Sequence, residues 1–96
     1  MKKKNHIKSA KRTIEIEYKG LLKLSKSLDQ SFIDLCEELL NRKGKIVTLG
    51  VGKSGHIANK VSATFSSTGS PSYFLNAGEA LHGDIGAVSK EDVILI

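Results

Sequence analysis

A glycine-rich turn directly after an apolar run is the feature that most limits what this chain can fold into. The apolar run is residues 46–49, the turn and its continuation are residues 50–56, and helix-compatible residues follow. Folds of the α/β class use this order of strand, glycine turn and helix to present backbone N–H groups to an anion. Lys53 adds a mobile ammonium group to the turn, where a bound phosphate or carbonyl group would lie.

Two helices are predicted ahead of this strand. Apolar side chains recur every seven positions between residues 7 and 28, which indicates an amphipathic helix. These side chains are Ile7, Ile14, Leu21 and Leu28. Gly20 weakens that helix by roughly 1 kcal/mol relative to alanine. Ser31 and Asp34 have the spacing of a capping box for a second helix, and Gly44 is a natural stop for it.

The rest of the pattern predicts a layered α/β fold with a parallel sheet. After a strand at 45–49, a helix is expected over about 54–68, followed by short strands at 72–75 and from residue 93 onward. Gly69 and Pro71 end the helix. Each connection is long enough to return right-handed, as parallel strands require. We predict a helical segment at 1–42 and the first half of a sheet domain at 43–96, truncated in its third strand.

Composition and charge exclude several classes of protein. The 96 residues allow one domain at most, and a content of 40% hydrophobic and 26% charged residues is typical of soluble globular proteins. No apolar run approaches the length of a membrane span, no apolar stretch of a signal peptide follows the basic start, and the single Cys36 fits a reducing compartment. We therefore predict a cytoplasmic protein with no membrane partner.

We predict no nucleic-acid partner, although the start of the chain is basic. Net charge is +5, and six of the fifteen basic residues lie in the first twelve positions, namely Lys2, Lys3, Lys4, Lys8, Lys11 and Arg12. No aromatic residues interleave with them and no nucleic-acid-binding motif follows. A solvated terminus is the interpretation we adopt.

The glycine turn formally matches two nucleotide-binding patterns, and it fits both poorly. Residues 50–55 have the GxGxxG spacing of the dinucleotide fingerprint, but no acidic residue stands at 75–76, where the ribose would be held. A P-loop requires a glycine at the position of Val47. Two interpretations stay open: an anion-binding turn from which Lys53 and Ser54 project, and a turn that only packs.

Glu79, His82 and Asp84 form a second polar cluster, in the loop after the second strand. Ligands of open α/β sheets bind beyond the carboxyl ends of the strands, so this loop and the glycine turn should face one crevice. His82 can carry a proton, donate a hydrogen bond to a sugar hydroxyl, bind a metal, or only brace the loop. His56 is predicted to cap or pack against the following helix. No residues have metal-ligand spacing, so we predict no metal and no cofactor.

Three segments together resemble the SIS (sugar isomerase) domain of arabinose-5-phosphate isomerases. They are residues 50–56, 63–72 and 78–84, and the resemblance extends over about 39–96. It implies a Rossmann-like fold and the interconversion of D-arabinose 5-phosphate and D-ribulose 5-phosphate through an enediol, in synthesis of the Kdo sugar of lipopolysaccharide. It also implies a phosphorylated pentose as substrate and a homo-oligomer, a tetramer, for the complete protein.

The resemblance assigns roles to individual residues. Lys53 matches the lysine in the family's active site, where an ammonium group can stabilise the charge of an enediolate. Gly69 and Ser70 match a substrate-contacting turn, and His82 matches a substrate-contacting histidine. Ser54 is added as a substrate-binding residue from its position beside Lys53.

Two departures from the family pattern limit the resemblance. Asn76 stands where the family often has a histidine that can bind zinc, so no metal site is carried over. The family's serine-rich phosphate loop and later catalytic residues would follow residue 96, so the chain alone is expected to be inactive. The alternatives are a non-catalytic SIS module that binds a sugar phosphate, and a product that only assembles with partners through its first two helices.

Overall fold

The computed structural model describes residues 4–96 and divides the chain into two compact units, Met1–Asp34 and Leu35–Ile96. Two helices come first, α1 (Lys4–Ser27) and α2 (Gln30–Leu40). Both helices predicted ahead of the first strand are therefore confirmed. Of the basic residues at the start, Lys2 and Lys3 lie outside the described part of the chain. Within it, no helix is both long enough and apolar enough to cross a lipid bilayer.

The apolar stripe of α1 is exposed along its whole length. Each of the four heptad side chains that predicted the helix is more than half exposed. Gly20 has no atom within 4 Å of the position a Cβ would take, so its cost to the helix is intrinsic rather than steric. Lys19 Nζ lies 2.8 Å from Glu15 Oε1 one turn away, an exposed pair that stabilises the helix only slightly.

The start of α2 differs from the prediction. Asp29 caps this helix: its Oδ1 accepts hydrogen bonds from the Ser31 hydroxyl at 2.6 Å and the Ser31 backbone N–H at 3.0 Å. These bonds hold the pKa of Asp29 below its usual value, with the bond from the hydroxyl the largest cause. Asp34 instead accepts from Gln30 Nε2 at 3.0 Å. The predicted capping box of Ser31 and Asp34 is wrong, because the helix begins two residues earlier than that motif requires.

The second unit contains a three-stranded parallel sheet with the strand order β2-β1-β3. The strands are β1 (Ile46–Gly50), β2 (Ser72–Asn76) and β3 (Val93–Leu95). They are connected by α3 (Gly52–Ser67), α4 (Ala77–Ala80) and a 3₁₀ turn (Asp84–Ala87). Because β1 pairs on both sides, Ile46, Val47 and Thr48 are almost completely buried. The predicted α/β fold with a parallel sheet is confirmed.

Hydroxyl groups fasten α3 to the sheet. Thr48 Oγ1 donates to the Ala58 carbonyl at 2.8 Å, and Ser72 Oγ lies 2.9 Å from Ser62 Oγ. Ser66 Oγ donates to the Ser72 carbonyl at 2.9 Å. Ser62 is only 3% exposed, so a hydrogen-bond partner is required to offset its desolvation. The small side chains of α3 thus let the helix lie close to the strands and also bond to them.

Asp92 joins the start of β3 to the start of β1. Its two carboxylate oxygens accept from the backbone N–H groups of Lys45 at 2.7 Å and Ser89 at 2.8 Å, and these bonds lower its pKa. Beside it, the Gly44 N–H donates to the Glu91 carbonyl at 2.9 Å. A Cβ on Gly44 would collide with the Asp92 carboxylate and the Glu91 backbone. Gly44 therefore permits this close approach and does not end α2, which stops before it.

We expect the substitution Asp92→Ala to lower the thermal midpoint of unfolding, because two backbone N–H groups lose their acceptor. The pKa of Asp92 is lower in the folded chain than its ordinary value of 3.8, so its contribution is present above pH 3.8 and is lost as the pH falls below it. The thermal midpoints of the unaltered chain and of Asp92→Ala, measured by calorimetry, should therefore converge in acid.

Asp34→Ala is the matched control, since Asp34 accepts only from an exposed glutamine side chain. It should leave the midpoint close to that of the unaltered chain. A difference between Asp92→Ala and the unaltered chain that persists unchanged well below pH 3.8 would contradict the role given to this carboxylate.

Candidate functional site

The two candidate loops leave the sheet side by side. β1 and β2 end in register, with Gly50 opposite Asn76. The glycine turn follows β1, and the loop that carries His82 follows β2. Both loops therefore lie at the carboxyl edge of the sheet, where ligands of open α/β folds bind.

Three glycines give the turn its shape. Gly52 has a φ of 62°, in the left-handed region that glycine adopts without strain. Gly50 and Gly55 touch backbone to backbone: a Cβ on Gly55 would stand 3.2 Å from the carbonyl of Gly50. The backbone conformation of Gly52 and the packing of Gly50 against Gly55 account for all three glycines, so the case for a ligand depends on the side chains around them.

Lys53 and Ser54 lie in the first turn of α3, and both are exposed. Within residues 4–96, the ion pairs and hydrogen bonds of the structure leave the Lys53 ammonium group without a partner. Ser54 lines a cavity of about 380 Å³ on the β3 side of the helix, together with Leu49, Ile57 and Leu95. The two neighbouring residues therefore do not share one pocket wall.

A pocket of about 320 Å³ lies on the β2 side of the same turn. Its lining residues are Gly52, Gly55, His56, Asn59, Phe74 and Asn76. His56 is exposed here, so the prediction that it caps or packs against the helix is wrong: the side chain lies on the pocket side of α3. Sequence reasoning missed Asn59 altogether, although its i, i+3 spacing from His56 places the two on one side of the helix.

The loop after β2 carries the second candidate cluster. Glu79, His82 and Asp84 are all exposed. The backbone N–H of His82 donates to the Glu79 carbonyl at 2.9 Å. Asn76 Oδ1 accepts from the Gly78 N–H at 2.8 Å, which fixes the start of α4. His82 does not line the pocket of His56. In the described part of the chain, no group of three or more His, Cys, Asp or Glu side chains is arranged to hold a metal ion.

Tyr73 holds the far end of this loop. Its hydroxyl donates to the Ala87 carbonyl at 3.0 Å, and its ring lies 5.8 Å from Lys45 Nζ. Burial, and after it the charge of Asp92, raises the pKa of Tyr73 above its ordinary value of 10.0. The phenol therefore stays protonated at neutral pH and can donate this hydrogen bond. The loop is thus tied at both ends, by Asn76 and by Tyr73.

Gly69 and Ser70 lie at the opposite edge of the sheet from Lys53. They follow the end of α3, and the next residue, Pro71, accepts a hydrogen bond from the N–H of Ile46 at 3.0 Å. The helix between the two sets has 16 residues and is therefore roughly 24 Å long. The structure does not bring the predicted site residues together, since one sugar phosphate cannot touch both sets within one chain.

The fold and the turn define an α/β domain of the Rossmann-like type, with a cationic residue at its carboxyl edge. The SIS domain family matches residues 38–96, which is more than half of the chain. The chain belongs to the SIS domain family.

Proteins of known name resemble the chain over nearly its whole length. Arabinose 5-phosphate isomerase KdsD of Salmonella typhi is 47% identical, over 91% of this chain and 26% of that protein. KdsD of Francisella tularensis is 46% identical, over 95% of this chain and 29% of that protein. A solved structure from E. coli CFT073, in complex with arabinose 5-phosphate, has a TM-score of 0.90 at 42% identity and covers 98% of this chain and 50% of that one. The chain thus spans about a quarter of the length of the curated relatives it matches.

We expect the substitution Gly55→Ala to destabilise the fold by about 1–3 kcal/mol, the usual cost of overpacking. The added methyl group would press on the Gly50 carbonyl at 3.2 Å, and Gly50 is fixed by its pairing in β1. Gly20→Ala is the matched control in a helix with open space, and it should be neutral or stabilising. Chemical denaturation measures both, and a Gly55→Ala chain as stable as Gly20→Ala would contradict the close contact.

Proposed function

We propose that this chain is part of an isomerase that interconverts D-arabinose 5-phosphate and D-ribulose 5-phosphate. The observation that carries the proposal is the identity of about 46% to proteins named arabinose 5-phosphate isomerase, over more than nine-tenths of the chain. The related E. coli CFT073 structure, which holds arabinose 5-phosphate, supports the same substrate. Residues 43–96 would form the first half of the SIS domain, after a helical segment at 1–42. The pathway we propose is Kdo and lipopolysaccharide synthesis, in the cytoplasm.

The proposed reaction moves two protons and leaves the atoms of the substrate otherwise unchanged. A base removes the proton from C2, the electron pair forms a C1–C2 double bond, and the carbonyl pair moves to O1. Return of a proton to C1, with transfer of the O2 proton to O1, gives the ketose. The intermediate carries negative charge on oxygen, and a fixed positive group beside it lowers the barrier.

Lys53 is the residue we propose for that stabilisation. It lies at the carboxyl edge of the sheet, on a turn whose backbone is fixed by the contact of Gly50 with Gly55. It also lies in the first turn of α3, where the helix dipole favours a negative charge. The turn fixes the backbone from which Lys53 extends, and the exposure of the side chain leaves its ammonium group accessible to a ligand.

Ser54 and His82 are proposed as substrate-binding residues at the same edge, through hydrogen bonds to phosphate or hydroxyl groups. Gly69 and Ser70 require a different arrangement, because they lie at the other edge of the sheet. We propose that they contact substrate held by Lys53 of a second copy, within a homo-oligomer, a tetramer.

The substitution Lys53→Ala tests the central assignment in a full-length protein that contains this sequence. We expect turnover to fall by on the order of 10²–10³-fold, as when one oxyanion-stabilising group is removed, with the fold intact. Lys60→Ala is the matched control, an exposed lysine farther along the same helix, and it should turn over normally. Near-normal turnover by Lys53→Ala would remove the catalytic role.

Exchange of the C2 proton with deuterated water separates this proposal from a non-catalytic module. An isomerase that forms an enediol exposes the abstracted proton to solvent, so deuterium should enter the substrate pool. A module that only binds the sugar phosphate should bind it without any exchange.

Mixed oligomers test whether two copies share a site. One variant carries Lys53→Ala and the other Ser70→Asp, which places a negative charge where a phosphate would be contacted. Each should be inactive alone, and refolding them together should restore part of the activity, because some sites would combine an intact Lys53 with an intact Ser70. Each variant refolded with itself is the control, and a mixture that stays inactive would contradict the shared site.

A further inference from the structure

We infer that the pocket lined by His56, Asn59, Asn76 and Phe74 binds the hydroxyl-bearing end of the sugar, and that His56 and Asn59 determine which sugar is accepted. The inference rests on the proposed function, which it extends to the choice between sugars of equal size and charge.

The position and size of the pocket suit a small ligand. It lies where β1 and β2 end in register, at the edge of the sheet where ligands of such folds bind. Its volume of about 320 Å³ is at the lower end of the range for small-molecule sites. Its walls come from two elements, with His56 and Asn59 on α3 and Asn76 at the end of β2.

The polar groups of the pocket match hydroxyl groups. An imidazole and two amides can both donate and accept hydrogen bonds, as a sugar hydroxyl does. Asn76 is held in place because its Oδ1 accepts from the Gly78 N–H at 2.8 Å. A site built for both donors and acceptors distinguishes sugars by the direction of each hydroxyl, since a misdirected hydroxyl leaves a partner unsatisfied.

Phe74 supplies the apolar wall that sugar recognition also needs. A sugar presents C–H groups on the faces between its hydroxyls, and an aromatic ring packs against them. The ring lies beside the turn, since a Cβ on Gly55 would be in ordinary contact with Phe74 Cζ at 3.5 Å. The pocket therefore combines one aromatic surface with three polar side chains.

The charges around the pocket orient the ligand. Neither lysine nor arginine is among its lining residues, so the phosphate would lie outside it. Lys53 directly follows Gly52, which lines the pocket, so its long side chain can reach the pocket mouth. The end of the sugar far from the phosphate, with C1 and C2, would then lie in the pocket close to Lys53.

The test uses a full-length protein that contains this sequence, with the substitutions His56→Ala and Asn59→Ala. Both side chains are exposed, so the fold should be unaffected, which thermal unfolding verifies. The matched controls are His6→Ala and Asn41→Ala, at exposed residues that do not line the pocket. The ligands are the unreactive D-arabinitol 5-phosphate, inorganic phosphate, and the two epimers D-arabinose 5-phosphate and D-ribose 5-phosphate.

We expect each variant to bind D-arabinitol 5-phosphate roughly 3–10-fold more weakly, the effect of one lost hydrogen bond, and to bind inorganic phosphate unchanged. The preference for D-arabinose 5-phosphate over its epimer in kcat/KM should fall by a similar factor. The controls should match the unaltered protein in every assay. If His56→Ala loses its fold, His56→Gln and Asn59→Ala carry the test.

Three outcomes would overturn the inference, and they can be told apart. Variants that keep the affinity and the epimer preference of an active unaltered protein overturn it and leave the isomerase proposal standing. An equal loss of affinity for inorganic phosphate would place the phosphate, rather than the hydroxyls, beside these side chains. An unaltered protein that neither binds nor converts the sugar phosphates would overturn the proposed function, and this inference with it.

Discussion

The arrangement of the second unit depends on the backbone contact between Gly50 and Gly55. A Cβ on either residue would stand 3.1–3.2 Å from the backbone of the other, so neither position has room for a side chain. The contact seats the first turn of α3 directly on the end of β1. It also fixes where the backbone of Gly52 and the side chain of Lys53 emerge. The glycine pattern thus reflects a packing requirement first, and function depends on the residues that the turn presents.

The hydroxyl contacts of α3 complete this arrangement at the other end of the helix. Ser62 and Ser66 bond to Ser72, the first residue of β2, and so set the position of that strand beside β1. With β2 in place, Asn76 comes opposite Gly50 and forms the far wall of the pocket. Two sets of short-range contacts, separated by the length of one helix, therefore define one site at the carboxyl edge.

The fold was largely predictable from the sequence because its signals are local. The apolar β-branched run at 46–49 requires burial on both faces, and Gly69 and Pro71 end α3 whatever the tertiary structure. The start of α2 was predicted wrongly because Asp29 and Ser31 are both good capping residues, and only the observed bonds distinguish them. Gly44 was misassigned because its neighbours, Glu91 and Asp92, are far away in sequence.

The candidate site was predictable only in part, for a related reason. That the two loops share an edge follows from the parallel order of the strands. Which side of α3 faces the pocket does not follow from the strand order, because it depends on how the helix lies on the sheet. His56 was therefore assigned to packing, and Asn59 was overlooked. The family resemblance assigned Gly69 and Ser70 to the site without regard to edges.

Gly69 and Ser70 lie at one edge of the sheet, and Lys53 and the pocket of His56 lie at the other. This separation bears on how a small domain can recognise a sugar phosphate. At the carboxyl edge, the polar side chains of the pocket of His56 and the nearby Lys53 suit hydroxyls and a developing oxyanion. A phosphate dianion needs several N–H or cationic donors of its own, and the pocket of His56 has neither lysine nor arginine among its lining residues. Lys53 and Ser70 lie at opposite ends of α3, which has 16 residues and is roughly 24 Å long, so Ser70 cannot add to the donors around the same molecule within one chain. Under the proposed function, recognition of the two ends of the substrate would be divided between these separate parts of the structure, and assembly of several copies would bring the parts together.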